Sequence, residues 1–327
     1  YLKELNKNTF GKHEDIITVG EMSSTTIEEC IKYSNPKEKE LDMVFNFHHL
    51  KVDYKDGEKW SLMDFDFIEL KNILNSWQIG MDKGNGWNAL FWSNHDQPRI
   101  VSRFGNDKEY LKESAKMLAT TLYMMKGTPY IYQGEEIGMT NPNFQSIEDY
   151  RDVESINYYN ILKDKGINEK DIIKILNSKS RDNSRTPMQW NEDINGGFTK
   201  GNPWIKVNDN YEDINVKKAL EDKDSIFYHY KKLIQLRKEY DIIAYGEYQP
   251  ILEEDKSIFA YIRRYKDEML LVISNFYDKE KKVDLSEFIG KDKYNIDILI
   301  SNYEDSSTDI DNIHLRPYES IVYHLVK

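Results

Sequence analysis

The stretch Ser93-Asn94-His95-Asp96-Gln97-Pro98-Arg99 directly follows a largely apolar run, Trp87 to Trp92. Strands of buried parallel sheets read as near-continuous apolar runs. A buried strand that ends in His, Asp and Arg places an imidazole and a carboxylate at its C-terminal tip. That is the end at which α/β barrels carry reactive groups. A second stretch repeats the arrangement: the β-branched run Ile16-Ile17-Thr18-Val19-Gly20 ends in Glu21. Two strand tips, each with one carboxylate, are the raw material of acid-assisted bond cleavage.

Working outward, strands and helices alternate from residue 1 to about 135. A helical stub at Tyr1-Leu2-Lys3-Glu4-Leu5 precedes the strand at Ile16 to Glu21. A helix follows at Thr26 to Tyr33, with Glu28 and Glu29 in its first turn, where the helix dipole favours acids. Leu41 to Phe47 reads as a strand ending in His48-His49. Phe67, Ile68, Leu70, Ile73, Leu74 and Trp77 recur at helical spacing. Ala89 to Asn94 and Thr128 to Gln133 are the third and fourth strands, separated by an apolar-faced helix at Tyr110 to Met125 that Gly127 and Pro129 close. A last amphipathic helix runs over Asp224 to Tyr240. Alternating strands and helices predict parallel β-α-β units. Four such units starting in mid-helix imply the second half of a (β/α)8 barrel. A half-barrel leaves two sheet edges open, which implies self-association or pairing with a complementary N-terminal half.

Residues 141–223 are rich in Asn, Asp and Gly and read as a loop-rich excursion from the barrel. From about 245 the pattern changes. Ser257 to Tyr265, Met269 to Phe276, Tyr294 to Ser301 and Ser320 to Val326 predict strands joined by short charged turns with no helix between them. The expected organisation is a catalytic half-barrel over 1–244 and a small antiparallel all-β domain over 245–327.

Composition excludes several roles. The formal charge is −12 over 327 residues, with no basic stripe, which argues against nucleic acid. No apolar run approaches the ~20 residues of a membrane span. One cysteine, Cys30, precludes an intrachain disulfide framework and fits a reducing, cytoplasmic compartment. No His, Asp and Glu cluster has metal-ligand spacing, so neither a metal nor another cofactor is expected.

Several motifs keep two readings. Glu21 is either a general acid/base or a residue at the start of the next helix, near Ser23 to Thr26. Gly134-Glu135-Glu136 is a third acidic strand tip, read here as structural, its carboxylates bonded to backbone or Arg. Arg181-Asp182-Asn183-Ser184-Arg185, followed by Thr186 to Trp190, suits sugar binding through charged hydrogen bonds and a stacking face, or is a surface ion-pair loop. Lys51 and Lys59, with His48 and His49, form the one basic group placed after a strand tip, either an anion site or solvated loop charges.

At these residues the chain resembles the α-amylase superfamily, glycoside hydrolase family 13, in its oligo-1,6-glucosidase-like branch. The strings Thr18-Val19-Gly20-Glu21, Asn94 to Arg99, Tyr132-Gln133-Gly134-Glu135-Glu136-Ile137-Gly138-Met139 and Arg181 to Trp190 carry the resemblance. It implies that Glu21 is the general acid/base, Asp96 the transition-state carboxylate, His95 a sugar-hydroxyl ligand, and Arg181 a lining residue of the substrate pocket. The stretch Phe45-Asn46-Phe47-His48-His49-Leu50-Lys51-Val52-Asp53-Tyr54 looks most like the phosphotrehalase group. That likeness implies hydrolysis of trehalose 6-phosphate to glucose and glucose 6-phosphate; the phosphate would then be met by the basic group of His48, His49, Lys51 and Lys59, and Arg185 is a further substrate-binding candidate. A neutral isomalto-oligosaccharide glucosidase and a non-catalytic barrel used as a binding module are the alternatives. The family's nucleophile, an Asp beside an Arg on an earlier strand, has no match in residues 1–327, which implies that these residues alone are inactive.

Overall fold

The computed structural model describes residues 1–290 and 294–327. Four short parallel strands lie side by side: β1 (Val19–Met22), β2 (Met43–Asn46), β3 (Ala89–Leu90) and β4 (Thr128–Pro129). β1 pairs with β2 so that Glu21 lies opposite Phe45. Val44 bridges to Asn88, and Ala89 pairs with Thr128, so the order is β1-β2-β3-β4. The sequence reading carries these strands further, to Asn94 and Gln133. The last ladder stops at Pro129, which has no amide hydrogen to donate. The carbonyl of Leu90 instead accepts from Tyr130 N at 2.7 Å.

The helices between strands start where their caps stand. Thr26 accepts from Glu29 N at 3.4 Å at the head of Ile27–Ser34, and Asp66 accepts from Glu69 N at 2.9 Å at the head of Phe67–Lys83. The helices Leu111–Tyr123 and Ile226–Glu239 complete the layer. Among the described residues no helix is long and apolar enough to cross a membrane.

The excursion is more ordered than its composition suggests. It holds two antiparallel helices, Val153–Asp164 and Glu169–Lys179, over a core that includes Trp60, Phe144, Tyr150, Tyr159, Ile172 and Leu176. Asp152 and Asn168, which composition reads as loop formers, are the N-caps of these helices. Short polar side chains favour caps for the same reason that they favour turns: they accept hydrogen bonds from nearby backbone.

Among the described residues, seven strands follow. β5 (Glu247–Ile251), β6 (Ile258–Tyr265), β7 (Glu268–Asn275), β9 (Asn295–Ser301) and β11 (Ser320–Val326) form an antiparallel sheet in the order β5-β6-β7-β11-β9. β8 (Lys281–Val283) and β10 (Ile313–Leu315) form a second ladder. Sequence reading misses β5, β8 and β10, and the helical turn Ser286–Ile289 interrupts a region expected to lack helix. The central strands are buried on both faces, and alternate residues serve different cores. Ile258, Ala260, Leu271, Ile273, Ile321 and Tyr323 pack within the β domain, whereas Phe259, Tyr261, Leu270, Val272 and Val322 join the barrel core.

Two buried cations lock the domain junction. Lys71, with no exposed surface, donates from Nζ to the carbonyls of Leu252 (2.6 Å), Asp255 (2.8 Å) and Ile258 (2.8 Å). Arg263 donates to Met124 O (2.8 Å), Ile243 O (3.1 Å) and Gly246 O (2.7 Å). Lys71→Met strands three carbonyls without a donor. It should lower the unfolding free energy by about 2–4 kcal/mol, read as a lower urea midpoint.

Two imidazoles are also interior. His49 lies against Phe91 and Trp92, with Nε2 3.0 Å from Phe91 O. His229 sits 2.8 Å from Thr120 Oγ1. Burial depresses His49 to about 4 and His229 to about 3. Between those values and the unfolded value near 6.5, the unfolded chain binds protons that the native state refuses. Stability therefore falls as pH drops through that window, by roughly 2–3 kcal/mol per imidazole between pH 7 and pH 4.5. Denaturation series at pH 7 and pH 4.5 should show the loss, and His49→Gln with His229→Gln should flatten it.

Candidate active site

Glu21 stands near the end of β1, exposed, and its carboxylate makes no hydrogen bond or ion pair among the described residues. Thr26, not Glu21, caps the following helix. Glu21 opens on a cleft of ≈ 210 Å³ that it shares with Phe45, Phe91, Asn94, His95, Tyr130 and Tyr132. The floor is aromatic, with Phe45 edge-on to Phe91 (centroids 4.9 Å apart) and to Tyr130 (4.6 Å). An apolar floor with a carboxylate, an amide and an imidazole around it suits the flat face and polar edge of a sugar ring.

Asp96 follows β3 on a tight loop. Asn94 Oδ1 accepts from Asp96 N at 2.8 Å, and Ser93 Oγ accepts from Ile100 N at 3.3 Å, closing the loop at its base. The Asp96 carboxylate is half exposed. Arg185 Nη2 donates to its Oδ1 at 2.6 Å, while Arg181 Nη1 lies 3.7 Å from the same oxygen and His95 Nε2 lies 3.5 Å from Oδ2. Arg185 also donates to His95 O at 2.8 Å.

The arginines are themselves held. Arg181 grips Asp152 with two bonds, Nε to Oδ2 at 2.9 Å and Nη2 to Oδ1 at 2.6 Å. Burial alone would raise the Asp152 carboxyl, but the Arg181 guanidinium outweighs it and holds the group below the usual carboxylate range. Glu154 lies 3.3 Å from Arg181 Nε and accepts from Lys59 at 2.7 Å. One chain of alternating charges thus runs from Asp96 through Arg185 and Arg181 to Asp152, Glu154 and Lys59.

The structure separates the remaining sequence candidates. Lys51 donates to Ser23 O at 2.6 Å, which brings its exposed ammonium beside the exit of β1. Lys59 joins the excursion, paired with Glu154 and lying 4.7 Å from the centre of the Trp60 ring. His48 packs on Trp77 (5.2 Å) with Nδ1 buried, and burial together with Lys51 lowers its pKa. His49 is a neutral core residue, which removes it from direct contact with a ligand in the cleft. Trp190 stands half exposed.

Sequence reasoning passed over three residues. Asp152 and Glu154 lie in Tyr150-Arg151-Asp152-Val153-Glu154, where an N-cap Asp next to a helix was the available signal. Arg99 is fully buried and donates to Gln133 O and to Ser184 O, the latter at 3.1 Å. Nothing in the string Gln97-Pro98-Arg99 distinguishes a buried Arg from a solvated one. Glu135, read as structural, is buried, with Oε1 accepting from the hydroxyls of Tyr123 and Tyr230, both at 2.7 Å. Burial pushes it up to about 7 in spite of those bonds.

With this geometry in hand, comparison with known proteins is informative. Residues 1–246 match the family described as the alpha amylase catalytic domain, and residues 258–322 match the alpha-amylase SusG C-terminal domain. The trehalose-6-phosphate hydrolase of Bacillus subtilis (strain 168) is 57% identical over 327 residues, covering 100% of this chain and 58% of that protein. An oligo-1,6-glucosidase of Bacillus cereus is 53% identical, covering 99% of this chain and 58% of that protein. The crystal structure of Bacillus licheniformis trehalose-6-phosphate hydrolase superposes with a TM-score of 0.97 at 61% identity, covering 100% of this chain and 59% of that one. The chain therefore spans less than two thirds of the length of these relatives. Its four β/α units are part of a (β/α)8 barrel, followed by an antiparallel β domain. On the match over residues 1–246 and these identities, the chain belongs to the α-amylase family, glycoside hydrolase family 13.

Proposed function

We propose that the longer protein carrying this chain is a retaining α-glucoside hydrolase that cleaves trehalose 6-phosphate to glucose and glucose 6-phosphate. The observation that carries the reading is the shared cleft. Glu21 from β1 and His95 from the loop after β3 line one aromatic-floored space, and Asp96 is fixed beside it by Arg185 and Arg181. In this reading Glu21, protonated, donates to the leaving glycosidic oxygen. Asp96, ionised, stabilises the oxocarbenium-like charge at the anomeric carbon. His95 and Arg181 hold sugar hydroxyls. A retaining mechanism also needs a nucleophilic carboxylate about 5–5.5 Å from the acid/base. Glu21 is the one carboxylate among the described cleft-lining residues, and we assign the nucleophile to chain outside residues 1–327. The open barrel edge, where Ile17 and Val19 are exposed, supports a complementary half or a second copy as its cover.

The Bacillus subtilis relative supports the phosphorylated substrate. A dianionic group needs a local cation on a protein of net charge −12. Lys51 is that cation in our reading, since its exposed ammonium binds a carbonyl rather than a carboxylate. Lys59 and Arg185 are already matched by Glu154 and Asp96. One observation favours the neutral-substrate alternative: His48, a member of the expected phosphate group, packs on Trp77 with its Nδ1 buried.

Glu21→Gln in the full-length protein should lower kcat about 10³-fold on a disaccharide with a poor leaving group. The loss should be far smaller on para-nitrophenyl α-glucoside, whose leaving group needs little protonation. Equal, mild losses on both substrates would remove Glu21 from the role.

Catalytic efficiency on trehalose 6-phosphate should exceed that on isomaltose. Lys51→Ala should raise KM for the phosphorylated disaccharide five- to tenfold and leave the aryl glucoside within twofold. A preference for isomaltose would make the protein an oligo-1,6-glucosidase.

A further inference from the structure

Beneath the Asp96 loop lies a chamber of ≈ 10 Å³, lined among others by Ser93, Arg99, Glu135, Met139 and Tyr230. The residues around it are buried. Two polar atoms of its lining have no hydrogen-bond partner: Arg99 Nε, a donor, and Glu135 Oε2, an acceptor. Orphaned buried polar atoms are uncommon, and each costs free energy unless satisfied. These two belong to oppositely charged groups that attract one another yet form no direct ion pair. The chamber has about the room that one water needs, and a buried water wants two to four polar partners. Ser93 Oγ, which accepts from Ile100 N, also bonds the Glu135 carboxyl and borders the same space.

We propose that this chamber binds a single structural water, held between Arg99 Nε and Glu135 Oε2, and that through it Glu135 positions the Asp96 loop. Ser93 and Arg99 are the two feet of that loop, and Asp96 is near its apex. Arg99 further donates to Ser184 O, the residue before Arg185, and Arg185 holds Asp96 at 2.6 Å. The water therefore sets the root of both the carboxylate and the guanidinium that orients it. Glu135 is kept in place from behind by the Tyr123 and Tyr230 hydroxyls.

This inference rests in part on the proposed glucosidase function, so the test has arms that do not depend on activity. A crystal structure of the full-length protein at 1.5 Å or better should show one fully occupied water within hydrogen-bond distance of Arg99 Nε and Glu135 Oε2. An empty chamber, or a water that touches neither atom, overturns the site. In crystals of Glu135→Leu the water should be gone and the Asp96–Arg185 contact lengthened beyond 3.5 Å. An unchanged contact overturns the positioning role. On para-nitrophenyl α-glucoside, Glu135→Leu should lose at least tenfold in kcat with KM within twofold, and Glu135→Gln, which keeps an acceptor oxygen, should recover a third or more of the lost turnover. A folded Glu135→Leu with wild-type kcat also overturns the role. If Glu135→Leu does not fold, Ser93→Ala removes the Ser93 bond to the Glu135 carboxyl with little change in volume and should lower kcat two- to fivefold at constant KM. No effect there counts against the proposal. If the wild type cleaves no α-glucoside, the function fails, and the two crystallographic arms still decide the water and the loop.

Discussion

Arg181 grips Asp152 with two hydrogen bonds while a third nitrogen reaches towards Asp96, and the geometry of the site depends on that grip. Asp152 is also the N-cap of the helix Val153–Asp164. The folding of the excursion and the placing of the cleft's cations are therefore one event. Asp182 reinforces the link, with Oδ2 accepting from the backbone of both Arg151 (2.7 Å) and Asp152 (2.8 Å). A bidentate Arg–carboxylate pair fixes direction as well as distance. A lysine at 181 would keep the charge and lose the orientation.

The C-terminal sheet serves the same end from the other side. Its central strands face two cores at once, so the β domain is an extension of the barrel's interior. Lys71 and Arg263 cross the junction as buried cations whose donors meet carbonyls rather than carboxylates. Burying a charge is costly, and three well-placed acceptors offset part of that cost. Such contacts add direction to an apolar interface that would otherwise tolerate sliding.

Cations in this chain divide by what they meet. Arg103 and Lys179 converge on buried Asp53, with Lys179 Nζ at 2.8 Å from its Oδ2. Lys59, Arg181 and Arg185 meet acids at the rim of the cleft. Lys51 meets a backbone carbonyl. Lys71 and Arg263 also meet carbonyls but are buried at the domain junction, so Lys51, exposed beside the exit of β1, is the one of these placed to meet an anion.

The sequence by itself determined the strand–helix alternation, the two carboxylates at strand tips and the change to an antiparallel pattern near 245. Each is a local signal: apolar periodicity, a polar residue ending an apolar run, or a cap three residues ahead of an amide. Family strings pointed to Glu21, His95 and Asp96; in the structure Glu21 and His95 line one cleft and Asp96 follows His95 on the adjoining loop. Local pattern could not separate His48 and His49 from a ligand site, because their burial is set by Trp77, Phe91 and Trp92, which come from other elements. Nor could it distinguish the Lys51 ammonium from that of Lys59, since Glu154 arrives 95 residues later. The helical pair within 141–223 was hidden because Asp152 and Asn168 read alike as caps or as turns until helices pack behind them. Which atoms share a chamber under Asp96 was decided only when β3, β4 and the helix Ile226–Glu239 met, for hydrogen bonding and burial are properties of neighbours in space.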